Sequence, residues 1–248
     1  MSNIMNNFNR VASSYDKFSY VQKRSGSFII NSLLGNSINK KRILDIGSGT
    51  GNLTKLLYHK YNPIELHGID ISPEMIKVAR NLKNMCKIDY FCCDLLEFLK
   101  SEFDNKYDLI FSNMVFQWEQ DSLYDIFFNC YKNLSKEGEF VFSIPLIGTF
   151  KELLFENINI NDFFNISKVI ELLSQVGFKC IETSKIEYTM NFTNKISRLK
   201  SIKNTGANFI IGQRKKNYSQ IKNLLVNNEK NCINCSLTYH IGYFKVVK

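Results

Sequence analysis

The residues best suited to chemistry cluster early in the chain. Asp45 precedes three glycines at alternate positions in Leu44-Asp45-Ile46-Gly47-Ser48-Gly49-Thr50-Gly51. Such glycines let the backbone turn sharply and let a ligand approach closer than a Cβ would allow. The spacing is G-x-G-x-G, not the G-x-G-x-x-G of dinucleotide enzymes, and no Lys-Ser/Thr follows, so phosphate cradling is not expected. Asp70 lies about 20 residues further on, where nucleotide-binding α/β folds place the carboxylate that accepts both ribose hydroxyls. Asp94 is an acid of the kind that can accept the exocyclic amine proton of an adenine, and Asn113 is a fourth polar residue in the series.

These four positions share a structural context. Ile43, Leu44 and Ile46 form a strand-like run before the glycines, and Leu53, Leu56 and Leu57 repeat at helical spacing after them. Ile64 to Ile69 reads as a second strand ending in Asp70. Ser72 then caps a helix, with Pro73 at its first position, Glu74 in its first turn and Met75, Ile76 and Ala79 on its apolar face. Lys87 to Cys93 is the third strand, with Cys92 and Cys93 read as packing residues. Tyr107 to Asn113 is the fourth strand, nearly all apolar as a buried parallel strand should be. A helix over Asp121 to Leu134, a turn at Glu137-Gly138 and a fifth strand from Glu139 to Ile144 complete the alternation. Strands alternating with helices predict an α/β, doubly wound parallel sheet. Gly47, Asp70, Asp94 and Asn113 all fall at the carboxyl ends of its strands, where open sheets of this kind bind ligands.

Beyond Pro145 the rhythm changes. Helices are expected over Phe150 to Asn157, Ser167 to Val176 (stopped by Gly177), Asn194 to Thr205 and Tyr218 to Asn227, with strands over Phe178 to Met190 and Leu237 to Val247. Before the first strand, Asn7 to Gly35 reads as two short helices. Their aromatic first half, with Phe8, Tyr15, Phe18 and Tyr20, is expected to fold over the ligand as a lid.

The composition is globular, at 44% hydrophobic and 22% charged, and no run of about 18 apolar residues marks a membrane span. The Asn-rich first ten residues lack the apolar core of a secretory signal, so a cytoplasmic location is expected. Seven scattered cysteines fit a reducing compartment. The one CxxC, Cys232 and Cys235, has no second pair to complete a four-ligand zinc site, so no metal is expected. A formal charge of +9 favours an acidic partner, whether nucleic acid, an anionic surface or an acidic carrier protein.

Over roughly the first 145 residues, Leu44 to Gly51, Asp70 to Arg80, Asp94-Leu95 and Ser112-Asn113 together resemble the class I S-adenosylmethionine (SAM) methyltransferases. Longer stretches resemble one family within that class, the malonyl-acyl-carrier-protein O-methyltransferases of biotin synthesis. Phe8-Asn9-Arg10-Val11-Ala12-Ser13-Ser14-Tyr15-Asp16 is similar to that family's F-x-R-A-A-x-x-Y-(D/E) opening, and Ser112 to Trp118 to its S-N-x-x-x-Q-W segment. Leu199 to Ala207 (LKSIKNTGA) resembles its insertion signature and Leu237-Thr238-Tyr239-His240 the start of its last strand. Lys200 stands where some members carry Arg, and Lys cannot form the planar bidentate fork of a guanidinium.

The resemblance implies one methyltransferase domain over 1–248. It would comprise a helical lid (1–40), a SAM-binding core (41–145), and the rest of a mostly parallel sheet (146–248) with its last strand antiparallel and a substrate-binding helical insertion at about 191–235. It implies methyl transfer from SAM to the free carboxylate of malonyl-acyl carrier protein, leaving S-adenosylhomocysteine. Asp45, Gly47, Ser48, Gly49 and Asn113 would hold the methionyl end, Asp70, Ile71 and Met75 the ribose and adenine, and Asp94 and Leu95 the adenine edge. Tyr15 would close the lid on the substrate, Lys203 and then Lys200 would clamp its carboxylate, and Gln117 and Trp118 would wall its pocket. Lys195, Arg198 and the Arg214-Lys215-Lys216 run would meet the acidic carrier. Two alternatives stand beside this reading: a different acceptor, such as a quinone precursor or RNA, the latter allowed by the basic charge, or a SAM-fold assembly factor of respiratory complexes, whose mitochondrial members share the opening and the S-N-x-x-x-Q-W segment.

Overall fold

The computed structural model describes residues 2–35, 40–81, 87–101, 105–156, 158, 160, 162–207 and 235–248. The expected helix over Tyr218 to Asn227, the Arg214–Lys216 run and Cys232 lie outside these residues. Three helices, not two, precede the first strand: α1 (Ser2–Val11), α2 (Tyr15–Phe18) and α3 (Tyr20–Phe28), the last running into a wider π turn over Ile29–Leu33. The core then alternates as expected: β1 (Arg42–Ile46), α4 (Asn52–Tyr61), β2 (Glu65–Asp70), α5 (Pro73–Asn81), β3 (Asp89–Cys92), α6 (Leu95–Lys100), β4 (Tyr107–Asn113), α7 (Leu123–Asn133) and β5 (Leu134–Pro145). After it come α8 (Lys151–Phe155), α9 (Ile166–Val176), β6 (Lys179–Phe192), α10 (Lys195–Asn204) and β7 (Cys235–Val247).

The seven strands form one sheet in the order β3-β2-β1-β4-β5-β7-β6. The first five are parallel, and β7 runs antiparallel to both β5 and β6. The order reverses between β1 and β4, and this reversal opens a crevice at the carboxyl ends of those strands. Helices cover both faces, so β4 is almost fully buried, with Leu109, Ile110 and Phe111 all at 0% exposure. One core layer joins Leu44, Ile110, Phe116, Phe127, Phe140 and Phe142 on one face of the sheet. The other joins Ile43, Leu109, Phe111 and Tyr243 to Ile29 and Ile30 behind the lid.

Two local readings change. Glu137-Gly138 is not a turn between α7 and β5. Leu134 already pairs with Tyr107, and Glu137 takes a φ of 61° where the register shifts before Leu109 meets Glu139. The extra residues bulge out of a continuous strand. Cys92 is exposed and Cys93 only half-buried, because β3 is the edge strand and has a neighbour on one side only. Cys130, by contrast, is fully buried in the core.

Phe116 is fully buried, and its ring centroid lies 6.0, 5.9 and 5.4 Å from those of Phe127, Phe140 and Phe142. Truncating Phe116 to Ala is expected to cost about 3–5 kcal/mol, the usual range for emptying a large aromatic site. Urea denaturation followed by circular dichroism would measure it, and a loss under 1 kcal/mol would mean that this cluster collapses around the gap.

Candidate active site

Asp70 ends β2 with its carboxylate turned back on the glycine turn. Its Oδ2 accepts from the Gly49 backbone N–H at 3.0 Å and its Oδ1 from that of Ser72 at 2.8 Å. Burial raises its pKa to about 6, while the two backbone hydrogen bonds pull the other way. Gly47 and Gly49 sit at φ 71° and 54°, a region that costs any residue with a Cβ. A Cβ on Gly47 would stand 2.2 Å from Val115, whereas one on Gly49 would meet nothing within 4 Å. The backbone at Gly49 therefore faces open space that a side chain would enter, as a close-fitting ligand requires.

That space is an open cleft beside the glycine turn. Of the expected cofactor residues, Gly47, Gly49, Asp70, Ile71, Met75, Asp94, Leu95 and Asn113 line it, together with Tyr15 and Trp118. Ser48 and Asp45 do not. Ser48 is buried with its Cβ against Gly68 of β2, and Asp45 lies behind the turn, accepting from Thr54 Oγ1 at 2.6 Å. Burial raises Asp45 to about 7, opposed by that hydrogen bond. Its role here is to tie β1 to α4. Asp94 caps α6, where its Oδ1 accepts from the backbone of Leu96 and Glu97 at 2.8 and 3.1 Å. Cys93 also lines the cleft, and burial lifts its thiol to about 11, so it stays neutral.

The lid is fastened by side chains. Asn9 Oδ1 accepts from Ser72 Oγ at 2.7 Å, reaching the start of α5. Asp16 Oδ1 accepts from Thr50 Oγ1 at 2.9 Å and Asn52 Nδ2 at 2.7 Å, fixing α2 over the glycine turn. Neither contact was read from sequence, since an Asn and an Asp in a helical stretch carry no signal of a partner tens of residues away. The adjacent Tyr15 is pushed well above the ordinary tyrosine range, by burial first and by the Asp70 carboxylate second.

A second, smaller pocket adjoins the cleft. Gln117 and Trp118 line it as expected. So do Gln22, Pro145, Thr149, Phe150, Phe163, Thr205, Ala207 and Tyr239, which sequence reasoning missed because six different segments contribute them. Phe8, Tyr15, Met114 and Trp118 line both cavities. Met114 takes a φ of 57°, strained for a side chain of its size. Its N–H is held by the Ser143 carbonyl at 3.0 Å, and its carbonyl accepts from Gln117 Nε2 at 2.6 Å. Gln117 thus supports the wall as well as lining it.

The expected carboxylate clamp is not assembled. Lys200 and Lys203 are exposed on α10 and line neither pocket, because α10 turns Leu199 and Ile202 inward. Arg198 is not a docking residue either. It is only 2% exposed and pairs with Glu156, which also holds Lys195 at 3.2 Å.

A cleft at the switch point of this sheet, edged by a glycine turn and a strand-end carboxylate and adjoined by a second pocket, is the architecture of a class I SAM-dependent methyltransferase. Residues 43–138 match the family model described as a methyltransferase domain. A SAM-dependent methyltransferase from Archaeoglobus fulgidus superposes with a TM-score of 0.60 at 16% identity, covering 94% of this chain and 97% of that one, which is a likeness of fold. Malonyl-[acyl-carrier protein] O-methyltransferase 2 of Coxiella burnetii is 32% identical over 97% of this chain and 94% of its own length. The Priestia megaterium malonyl-[acyl-carrier protein] O-methyltransferase is 31% identical over 97% and 95%. The chain belongs to the malonyl-[acyl-carrier protein] O-methyltransferase family.

An ionised carboxylate can accept from two hydroxyls where a protonated one cannot, so with Asp70 lining the cleft at a pKa of about 6, ligand affinity there is expected to depend on pH. SAM affinity, measured by calorimetry, is expected to fall about tenfold between pH 7.5 and pH 5 as the carboxylate takes up a proton. Asp70→Asn should bind weakly at both pH values and lose the dependence. Separately, Asp16→Ala removes both side-chain ties of α2 to the glycine turn. It should weaken SAM binding by roughly tenfold and lower Tm by several degrees, since the two lost hydrogen bonds are together worth about 2 kcal/mol.

Proposed function

We infer that this single-domain, cytoplasmic enzyme transfers the methyl group of SAM to the free carboxylate of malonyl-acyl carrier protein, giving the malonyl methyl ester that begins pimeloyl and biotin synthesis. The observation that carries this is the shared wall. Phe8, Tyr15, Met114 and Trp118 line both a cleft suited to a nucleoside and a pocket lined by hydroxyls and amides, so the two cavities adjoin where a methyl group would pass from donor to acceptor.

The glycine turn and Asn113 fit the methionyl end of SAM, and the Asp70 carboxylate fits the ribose, with Ile71 and Met75 beside the adenine. When bound, SAM supplies a methyl group already activated on a sulfonium. The demands on the protein are then modest. A carboxylate with a pKa near 4 is ionised at neutral pH, so no general base is needed. The chain must hold the acceptor oxygen about 3–3.5 Å from the methyl carbon and in line with its bond to sulfur; alignment of this kind supplies roughly 7–11 kcal/mol in favourable cases.

Tyr15 remains a protonated hydroxyl at every working pH, which suits it to donate a hydrogen bond to the acceptor carboxylate rather than to act as a base. Tyr239 adds a second hydroxyl to the same pocket, Thr149 and Thr205 donate theirs to the carbonyls of His240 and Ile202, and Phe150 and Phe163 line it beside them. Neutral donors hold a carboxylate without quenching its nucleophilicity as a tight guanidinium pair would.

Methyl transfer from labelled SAM should reach malonyl-acyl carrier protein and not acetyl-acyl carrier protein, which lacks the free carboxylate. Equal labelling of both, or of neither, would remove the assignment. Replacing Tyr15 with Phe should lower kcat/KM for the malonyl substrate by roughly tenfold to a hundredfold, the worth of one hydrogen bond to a charged group. The SAM dissociation constant should move far less.

A further inference from the structure

The basic charge of this protein is not spread evenly. Residues 2–35 carry Arg10, Lys17, Lys23 and Arg24 against a single acid, Asp16, and that carboxylate is already engaged by Thr50 and Asn52. Residues 188–207 carry Lys195, Arg198, Lys200 and Lys203 and no acid at all. The fold brings these two segments together, because α10 packs against α2 and the turn at Gly206 closes on Phe8 of α1.

Lys17, Lys23, Arg24, Lys200 and Lys203 are all exposed, and among the described residues none has a carboxylate within ion-pair distance. Two aromatic rings stand among them, Phe18 at 40% and Tyr20 at 51% exposure. Arg24 donates to Tyr20 Oη at 3.2 Å and lies 5.7 Å from the ring centroid, so this cation and ring are held together in advance. Exposed aromatics with arginine are the composition of a protein-binding surface. The location adds a reason. Tyr15 and Gln22 of the lid, and Thr205 and Ala207 after α10, line the acceptor pocket, so the patch borders its rim.

We propose that the outer face of the lid and α10, built on Lys17, Arg24, Lys200 and Lys203 around Phe18 and Tyr20, is the docking surface for the acidic carrier protein that delivers the acceptor. The proposal rests on the carrier-bound substrate of the preceding section. It gives the two α10 lysines a role in place of the carboxylate clamp: they face outward, toward the body of the carrier, while its tethered arm enters between lid and α10. Docking on the lid also ties its closed position to carrier binding. The unpaired cations would set the encounter rate and its salt dependence rather than the chemical step.

The test compares malonyl-acyl carrier protein with malonyl-pantetheine, which carries the same thioester and no protein. In the native enzyme the KM for the carrier substrate should rise with ionic strength, and that for malonyl-pantetheine should not. The double variant K17E/R24E should raise the carrier KM about tenfold and flatten its salt dependence, with kcat, the KM for SAM and the rate on malonyl-pantetheine held. K200E/K203E should raise the carrier KM to a similar degree. An unchanged carrier KM in both variants would overturn the docking surface, as would an equal loss on malonyl-pantetheine in K17E/R24E. Failure of the native enzyme to methylate either malonyl compound would instead overturn the substrate assignment, and the docking surface with it.

Discussion

The site depends on one half-buried carboxylate. Asp70 is held by two backbone N–H groups, one from the glycine turn after β1 and one from the start of α5. Burying a carboxylate is costly, and its pKa of about 6 records that cost after the hydrogen bonds have offset part of it. The arrangement fixes three segments relative to one another: the end of β2, the left-handed turn through Gly49 and the first turn of α5. The carboxylate's position is thus set before any ligand enters the cleft, so little ordering remains to be done on binding.

The lid is joined to this centre by the same logic. Asn9 reaches Ser72, one of the residues that organises Asp70, and Asp16 reaches Thr50 and Asn52 on either side of Gly51. The apolar contact beneath α1 is small, with Val11, Ala12 and Met75 at its centre, whereas α3 and its π turn are built into the main core through Val21, Ile29 and Ile30. The first two helices are therefore held by a few polar contacts and a minor cluster, the kind of segment that opens at lower cost than the sheet it covers. Tyr15 and Phe8 belong to those helices and line both cavities, so the placement of the two helices shapes both.

Polar bonds also hold the shared wall from the other side. Ser143 accepts from Ser25 Oγ at 3.1 Å and donates to Asn113 Oδ1 at 2.9 Å, while Asn113 Nδ2 reaches the Gln22 carbonyl at 3.0 Å. These bonds link α3, β4 and β5 beneath Met114. A strained residue persists only where its surroundings over-determine it, and Met114 has partners at both its N–H and its carbonyl.

By itself the sequence determined the parallel α/β core and its ligand edge, because strand and helix periodicity and glycine spacing are local properties of the chain. Tyr107–Asn113 and Pro73–Asn81 stand where their patterns put them. Gly47, Asp70, Asp94 and Asn113 were legible as a set since each follows directly from a strand end. Asp45 was placed in the cleft for its position in a motif, but side chains alternate along β1, and only packing revealed that this one points to Thr54. The insertion misled for a related reason. Its lysines signalled charge, yet which face of α10 turns inward depends on where Leu199 and Ile202 find a core, a question of tertiary contact. The second pocket was hidden most deeply: Thr205 and Tyr239 lie in two stretches that carried the family resemblance but no assigned role, Gln22, Thr149 and Phe163 lie in none, and all become neighbours only when the N-terminal helices, the end of β5 and the antiparallel β7 are brought together.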